Sequence, residues 1–304
     1  MNFRTTWDIA PFETQLQHGD KIVLMGSCFS ENIGKKLQYF GFDALVNPFG
    51  TIFHPLPLAA VLEPSSFGEI RTIERDDYWY TFEAHSAIQG YDEGELLDKL
   101  FEQQALLKSY LKEAKILIIT FGSAWGYYKD NAIVANCHKL PASNFDKSLT
   151  DLLSMVHQWR KLIRELKEIY PELDIVFTVS PVRHTKDGMV ENQQSKARLI
   201  ELVHHLNENY FPAYEIQMDD LRDYRFYEAD LIHPNATAVD YIFGKFAQVA
   251  IAEQTRKHFP AIQKFRMFES HQIKPWDETR AAKHTLEVAK KRGELLNQIP
   301  NLSL

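Results

Sequence analysis

Cysteine is scarce in this 304-residue chain, which carries only Cys28 and Cys137. Two thiols cannot frame a disulfide scaffold, and each defaults to a small buried hydrophobe. An excess of positive charge is also missing: the formal net charge is −7 and the pI about 6.0. That leaves no phosphate-binding surface and argues against a nucleic-acid partner. No apolar run approaches the ~18 residues of a membrane span. The opening MNFRTTWDIAPFETQLQHGD lacks the basic, apolar, small-residue order of a signal peptide. A cytoplasmic protein is therefore expected. No Gly-rich phosphate loop occurs, so no nucleotide cofactor is expected. Cys28, Cys137, His138 and His233 follow no zinc-ligand spacing, so no metal is expected either.

Internal repeats and low-complexity tracts are absent, and what remains is ordinary globular texture. Hydrophobic residues make up 45% of the chain, enough for a sizeable core in one large α/β domain or two smaller ones. Strand and helix signals alternate. Ile22–Met25 reads as a strand and Ser30–Tyr39 as a helix ended by Gly41. Asp43–Val46 is a strand, residues 56–65 a short helix, and Ile73–His85 one or two strands around Asp76-Asp77. Leu97–Ala114 is helical, and KILIITFG (Lys115–Gly122) is a strand buried on both faces by its continuous β-rich run. NAIVANCH reads as a short strand. Leu152–Tyr170 is amphipathic, with Val156, Trp159, Ile163 and Leu166 at helical spacing. Asp174–Val182 and Ala213–Met218 are expected strands, and Gln193–Tyr210 and Ala236–Lys257 expected helices. This rhythm calls for a three-layer α/β/α sandwich on a mostly parallel sheet. Two segments are expected: a domain over 1–260 and a helical C-terminal extension over 261–304, with Asp277–Leu296 one charge-mixed helix.

Ligands of such a fold sit beyond the carboxyl ends of the strands. The first strand runs there into Gly26-Ser27-Cys28-Phe29-Ser30. The free N–H groups and dipole of a helix start favour negative charge, which lowers a thiol pKa and can hold an oxyanion. Cys28 or Ser27 is thus well placed as a nucleophile; in the blander alternative Ser27 caps the helix and Cys28 is packing. Near the far end, EADLIHPNATAVDYIF sets Asp230 three residues before His233, just ahead of the last long core helix. Asp230 can fix the imidazole tautomer and leave the other ring nitrogen to act as a general base. Arg183 and His184 in SPVRHT, with Trp125, Tyr127 and Tyr128, fall at strand ends where they could meet a substrate or serve packing.

This layout resembles the SGNH or GDSL hydrolases, and more narrowly the GSCFA family. The resemblance rests on GSCFS at 26–30 and on NPFGTIFHP, GSAW, NCHKLP, YFPAYEI and LRDYRFYEADLIHP, in that order. It implies a flavodoxin-like SGNH fold. It puts Cys28 on the superfamily's nucleophile position, Ser27 on the preceding Asp position, Gly50 on an oxyanion-donor position, and Asp230 and His233 on the final block. The third block departs from the pattern: Gly122-Ser123-Ala124-Trp125 lacks the expected Asn. Gly122 could still offer backbone, or Asn136 or His138 could donate instead. The expected activity is hydrolysis or acyl transfer at an ester or thioester of a small molecule or carbohydrate. A decayed scaffold binding a glycan or protein is the alternative.

Overall fold

The structure, a computed structural model, describes residues 4–64, 67–271 and 278–304. The chain enters its central sheet through β1 (Lys21–Gly26), leaves by α1 (Cys28–Tyr39) and returns as β2 (Asp43–Val46). Helix α2 (Pro55–Leu62) precedes the antiparallel strands β3 (Thr72–Arg75), β4 (Tyr78–Thr81) and β5 (Gln89–Gly90). Helix α3 (Glu93–Leu111) then leads to the long strand β6 (Ala114–Phe121). A second antiparallel group follows, made of β7 (Trp125–Lys129), β8 (Ala132–Ile133) and β9 (Asp146–Leu149). Next come α4 (Leu152–Ile169), β10 (Asp174–Val179), α5 (Met189–Leu206) and β11 (Asn209–Phe211). The helices of the remainder are α6 (Ala213–Glu215), α7 (Ala236–Ala250), α8 (Glu253–Arg256), α9 (Phe259–Glu269) and α10 (Glu278–Gln298).

The central sheet runs β2-β1-β6-β10-β11 with every pairing parallel. Numbered within the sheet this is 2-1-3-4-5, the flavodoxin-like doubly wound order, and its topological switch point lies between β1 and β6. Side chains alternate between two cores. Val23, Met25, Leu117 and Ile119 pack against Leu100 and Leu107 of α3, Trp159 and Leu162 of α4, and Leu199 of α5. Ile22, Leu24, Ile116 and Ile118 pack against Phe29, Ile33 and Leu37 of α1 and Ile242, Phe243 and Phe246 of α7. Burial on both faces explains why β1 and β6 read as unbroken apolar runs rather than alternating ones. The expected three-layer architecture is thus what the chain adopts.

The differences are local and have physical causes. The segment Ala213–Met218 is not a strand. Asn209–Phe211 takes the edge position against Val176–Thr178, and Pro212 then opens α6 and a π-turn over Ile216–Asp220. Ala213, Tyr214, Ile216, Gln217 and Asp220 are buried at helical spacing. The helix expected over Ala236–Lys257 stops at Ala250, because Ile251 pairs with Leu16 and its extended neighbour Ala252 donates to the Leu16 carbonyl. Strands β7 and β9 were not expected; they hold Trp125 and Tyr127 across from Leu149 and Lys147. The C-terminal helices form their own cluster of Ile262, Phe265, Leu295, Ile299 and Leu302 against Phe40, at the end of α1 remote from Cys28. Of the helix expected from Asp277, that first residue lies outside the described residues.

Candidate active site

Five local constraints build the turn after β1. Gly26 has φ +129°, and a Cβ there would lie 2.1 Å from the Thr120 carbonyl oxygen, so only glycine lets β1 approach β6 at this point. The Gly26 N–H donates to Asn47 Oδ1 at 2.9 Å and the Ser27 N–H to Thr120 O at 3.0 Å. Ser27 is the N-cap of α1: its Oγ accepts from the Phe29 N–H at 3.2 Å, and the residue is wholly buried. Ser30 Oγ donates to Thr120 Oγ1 at 2.8 Å, fastening the first turn of α1 to β6. Cys28 follows as the first helical residue, half-buried and not in a disulfide. The turn therefore stands at the switch point, with Ser27 pointing into structure and Cys28 retaining access to solvent.

The thiol does not behave as the helix start alone would dictate. Burial pushes the Cys28 pKa up, and the Glu31 carboxylate pushes it further. The backbone N–H groups of Cys28 and Phe29 and the Lys196 ammonium oppose that rise without overcoming it. The resting group is a neutral thiol, contrary to the depressed value expected from the helix dipole. Glu31 is held by the Thr51 hydroxyl at 2.9 Å, and the carboxylate also favours protonation of the nearby His85, whose pKa burial lowers.

Asp230 and His233 meet as the sequence implies. Asp230 Oδ2 lies 2.6 Å from His233 Nδ1. Its Oδ1 accepts the backbone N–H of Ile232 at 2.8 Å and of His233 at 3.0 Å. These bonds, the one from the His233 backbone foremost, bring the carboxyl down to about 2. Asp230 thus stays ionised, holds the proton on Nδ1, and leaves Nε2 without a partner among the described residues. Leu231, at φ +58°, makes the loop's tight bend. Arg183 clamps that bend: its guanidinium donates to Leu231 O, and its backbone N–H to Ile232 O at 3.4 Å. The clamp ties the Asp-His loop to the carboxyl end of β10.

Two further groups are coupled by charge to this loop and to the thiol in turn. Lys196, on the buried stripe of α5, donates from Nζ to Gly122 O at 2.9 Å and Ser180 O at 2.8 Å, joining the segments that follow β6 and β10. Burial drives its pKa down to about 7, against the charges of Cys28 and Glu215. His184 is pushed down to about 3 by burial, then by the charges of Lys196 and His233. Electrostatic contact therefore runs from His233 through His184 and Lys196 to Cys28. No hydrogen bond joins the His233 imidazole to Cys28 or Ser27 among the described residues. The signal for Lys196 was its register: a lysine among Asn192, Ser195, Leu199 and Leu202 sits on an apolar helical face.

The four expected oxyanion donors fare differently. The Gly50 N–H donates to Asn47 O at 2.7 Å, and the Gly122 N–H to Phe53 O at 2.8 Å, so both backbone groups are already engaged. His138 uses both ring nitrogens, Nε2 with Thr81 O at 2.8 Å and Nδ1 with Ser86 Oγ at 2.9 Å. Asn136 Oδ1 accepts from the His138 N–H at 2.7 Å in a local turn. Both thus shape the segment after β8, His138 with neither ring nitrogen to spare and Asn136 with its Oδ1 engaged. Beside Gly122, a cavity of about 250 Å³ is lined by Phe53, Ser123, Trp125, Tyr127, His184 and their neighbours. No cluster of three or more His, Cys, Asp or Glu suited to a metal occurs among the described residues, and no helix among them is long and apolar enough to cross a membrane.

Comparison with known proteins bears on this arrangement. No curated protein matches the chain. Among solved structures it is similar to the esterase EstA from Pseudoalteromonas sp., at 13% identity over 76% of this chain and 96% of that one, with a TM-score of 0.34. It is similar to the lipase/acylhydrolase from Enterococcus faecalis, at 10% identity, 80% and 96% coverage and a TM-score of 0.36. A family 3 carbohydrate esterase from Clostridium thermocellum gives 11% identity, 80% and 98% coverage and a TM-score of 0.33. Scores this low lend no weight to an activity; the fold rests on the strand order above. The GSCFA family model matches residues 21–246, from the first residue of β1 into α7 and across both halves of the candidate site. The chain belongs to the GSCFA family.

Proposed function

We propose that the protein hydrolyses or transfers the acyl group of a small-molecule or carbohydrate ester or thioester, with Cys28 as nucleophile and His233, oriented by Asp230, as base. The observation that carries this reading is the Asp230–His233 pair, whose 2.6 Å bond fixes one ring nitrogen and frees the other. Cys28 is favoured over Ser27 because the Ser27 hydroxyl is buried and spent as the helix cap, whereas Cys28 is accessible. His233 Nε2 takes the thiol proton as sulfur attacks the acyl carbonyl, and the carbonyl electron pair moves onto oxygen. Collapse of that intermediate expels the alcohol or thiol, which receives the proton from His233. Water or an acceptor hydroxyl, deprotonated by His233, then attacks the thioester and releases Cys28. The neutral resting thiol makes a base necessary, since little thiolate forms unaided. The mechanism requires the imidazole to reach the thiol once substrate is bound, as catalytic hydrogen bonds often form only in that complex.

A panel of short-chain acyl esters and thioesters, assayed with wild type and His233→Ala, tests the reading. Turnover by wild type and its loss by about 10²-fold or more in the variant is expected; equal turnover by both removes the pair from the mechanism. The second reading is a glycan- or protein-binding module on a decayed scaffold. It is favoured by the raised thiol and by the engaged N–H groups of Gly50 and Gly122. Glycan-array binding with no turnover of any ester would establish it in place of the first.

A further inference from the structure

The segments that follow β10 and β11 enclose a cavity of about 490 Å³ that the acyl-transfer steps do not use. Its size falls in the range of about 300–1,000 Å³ usual for small-molecule sites. It lies beyond the carboxyl ends of two sheet strands, where ligands of a doubly wound fold sit. It also abuts the Asp230–His233 loop. Arg183, in the cavity wall, donates from its guanidinium to Leu231 O, and the wall residue Tyr227 pairs with Pro234. The Glu228 N–H donates to His233 O at 2.8 Å and closes the same loop.

The wall combines aromatic faces with polar edges. The Arg183 guanidinium lies over the rings of Tyr227 at 4.7 Å and Tyr224 at 5.6 Å, and the two ring centroids are 5.9 Å apart. Tyr224 is nonetheless 63% exposed, so most of its surface is left for a ligand. Gln193 Oε1 accepts from the Tyr214 hydroxyl at 3.0 Å, and its amide NH₂ has no partner among the described residues. Asp219 and Arg222 are exposed in the wall, and neither forms an ion pair among the described residues. Arg183 and Arg222 balance the carboxylates of Asp219 and Asp223, so the wall carries no net charge. That balance suits a neutral ligand better than a phosphate or an ammonium group. A sugar ring offers apolar C–H faces to an aromatic side chain, and hydroxyls that both donate and accept. We infer that this cavity is a sugar subsite, in which a neutral pyranose lies on Tyr224 with its hydroxyls toward Gln193, Asp219 and Arg222. The inference rests on the carbohydrate part of the reading above, and it sets the sugar of the ester beside the loop that carries His233.

Isothermal titration calorimetry with cellohexaose, maltohexaose and chitohexaose tests the assignment on wild type, Tyr224→Ala, Tyr224→Phe and Gln193→Ala. Both side chains are exposed, so their loss leaves the core untouched. At least one hexaose is expected to bind wild type. Its Kd should rise about five- to ten-fold in Tyr224→Ala and stay within about two-fold in Tyr224→Phe, which keeps the ring. Gln193→Ala should weaken it as well. Affinity should hold between about 50 and 500 mM salt, because a neutral ligand has no charge to screen. Binding of none of the three sugars overturns the inference, as does an unchanged Kd in both alanine variants or an affinity that falls steeply with salt. Turnover of p-nitrophenyl acetate, an ester without a sugar, is followed in parallel on wild type. Turnover without sugar binding overturns the subsite and leaves the acyl-transfer reading standing. Sugar binding that depends on Tyr224, with no turnover, supports the subsite and defeats the acyl-transfer reading.

Discussion

At the scale of single residues, the two side chains at the bend separate by what each already does. The Ser27 hydroxyl caps α1, so Ser27→Ala should cost about 1 kcal/mol in a urea titration while turnover persists. Cys28→Ala should do the reverse, leaving the melt near wild type and abolishing ester turnover. The raised thiol has a pH signature. Because burial and Glu31 disfavour the thiolate, the alkylation rate of Cys28 should be low at neutral pH and rise through a midpoint above the ordinary thiol value. A midpoint below the ordinary value in wild type would contradict the electrostatic description of the turn.

Elements explain why the turn holds its shape and why part of the site escaped the sequence. Gly26→Ala drives a methyl carbon into the Thr120 carbonyl at a left-handed φ, and a loss of about 3 kcal/mol is expected in chemical denaturation. Lys196 couples the ends of β6 and β10 to pH. Its folded pKa of about 7 lies below the ordinary 10.5, so between those values the unfolded chain binds the extra proton and stability rises with pH. Urea midpoints measured from pH 7 to 10 should climb more steeply in wild type than in Lys196→Met. Strands β1 and β6, helix α4 and the Asp230–His233 loop were legible because periodicity and short-range spacing encode them. The segment Ala213–Met218 was not, since its apolar pattern fits strand or helix and only the edge strand Asn209–Phe211 decides between them. The positions of Lys196 and His184, and the engagement of the Gly50 and Gly122 N–H groups, arise from contacts between elements far apart in sequence. The helical register of Lys196 hints at its burial, but no local pattern carries those partners.

On the scale of the whole molecule, the two ends of α1 divide the labour. Its N-terminus carries Cys28 at the carboxyl rim of the sheet, and its C-terminus meets α9 and α10 through Phe40, Gly41 and Arg266. Ile262→Ala should lower stability by about 2–5 kcal/mol through the cavity it leaves, with kcat unchanged, because that cluster lies at the opposite rim. The proposed covalent mechanism requires the turn carrying Cys28 and the loop carrying His233, more than two hundred positions apart, to share one crevice. The most direct test is intact-protein and peptide mass spectrometry after rapid acid quench of the protein mixed with p-nitrophenyl acetate. An acetyl group on the peptide carrying Cys28, absent in Cys28→Ala and strongly reduced in His233→Ala, is the result this account predicts. Steady turnover with the acetyl group on another residue, or with no covalent adduct at all, would contradict it.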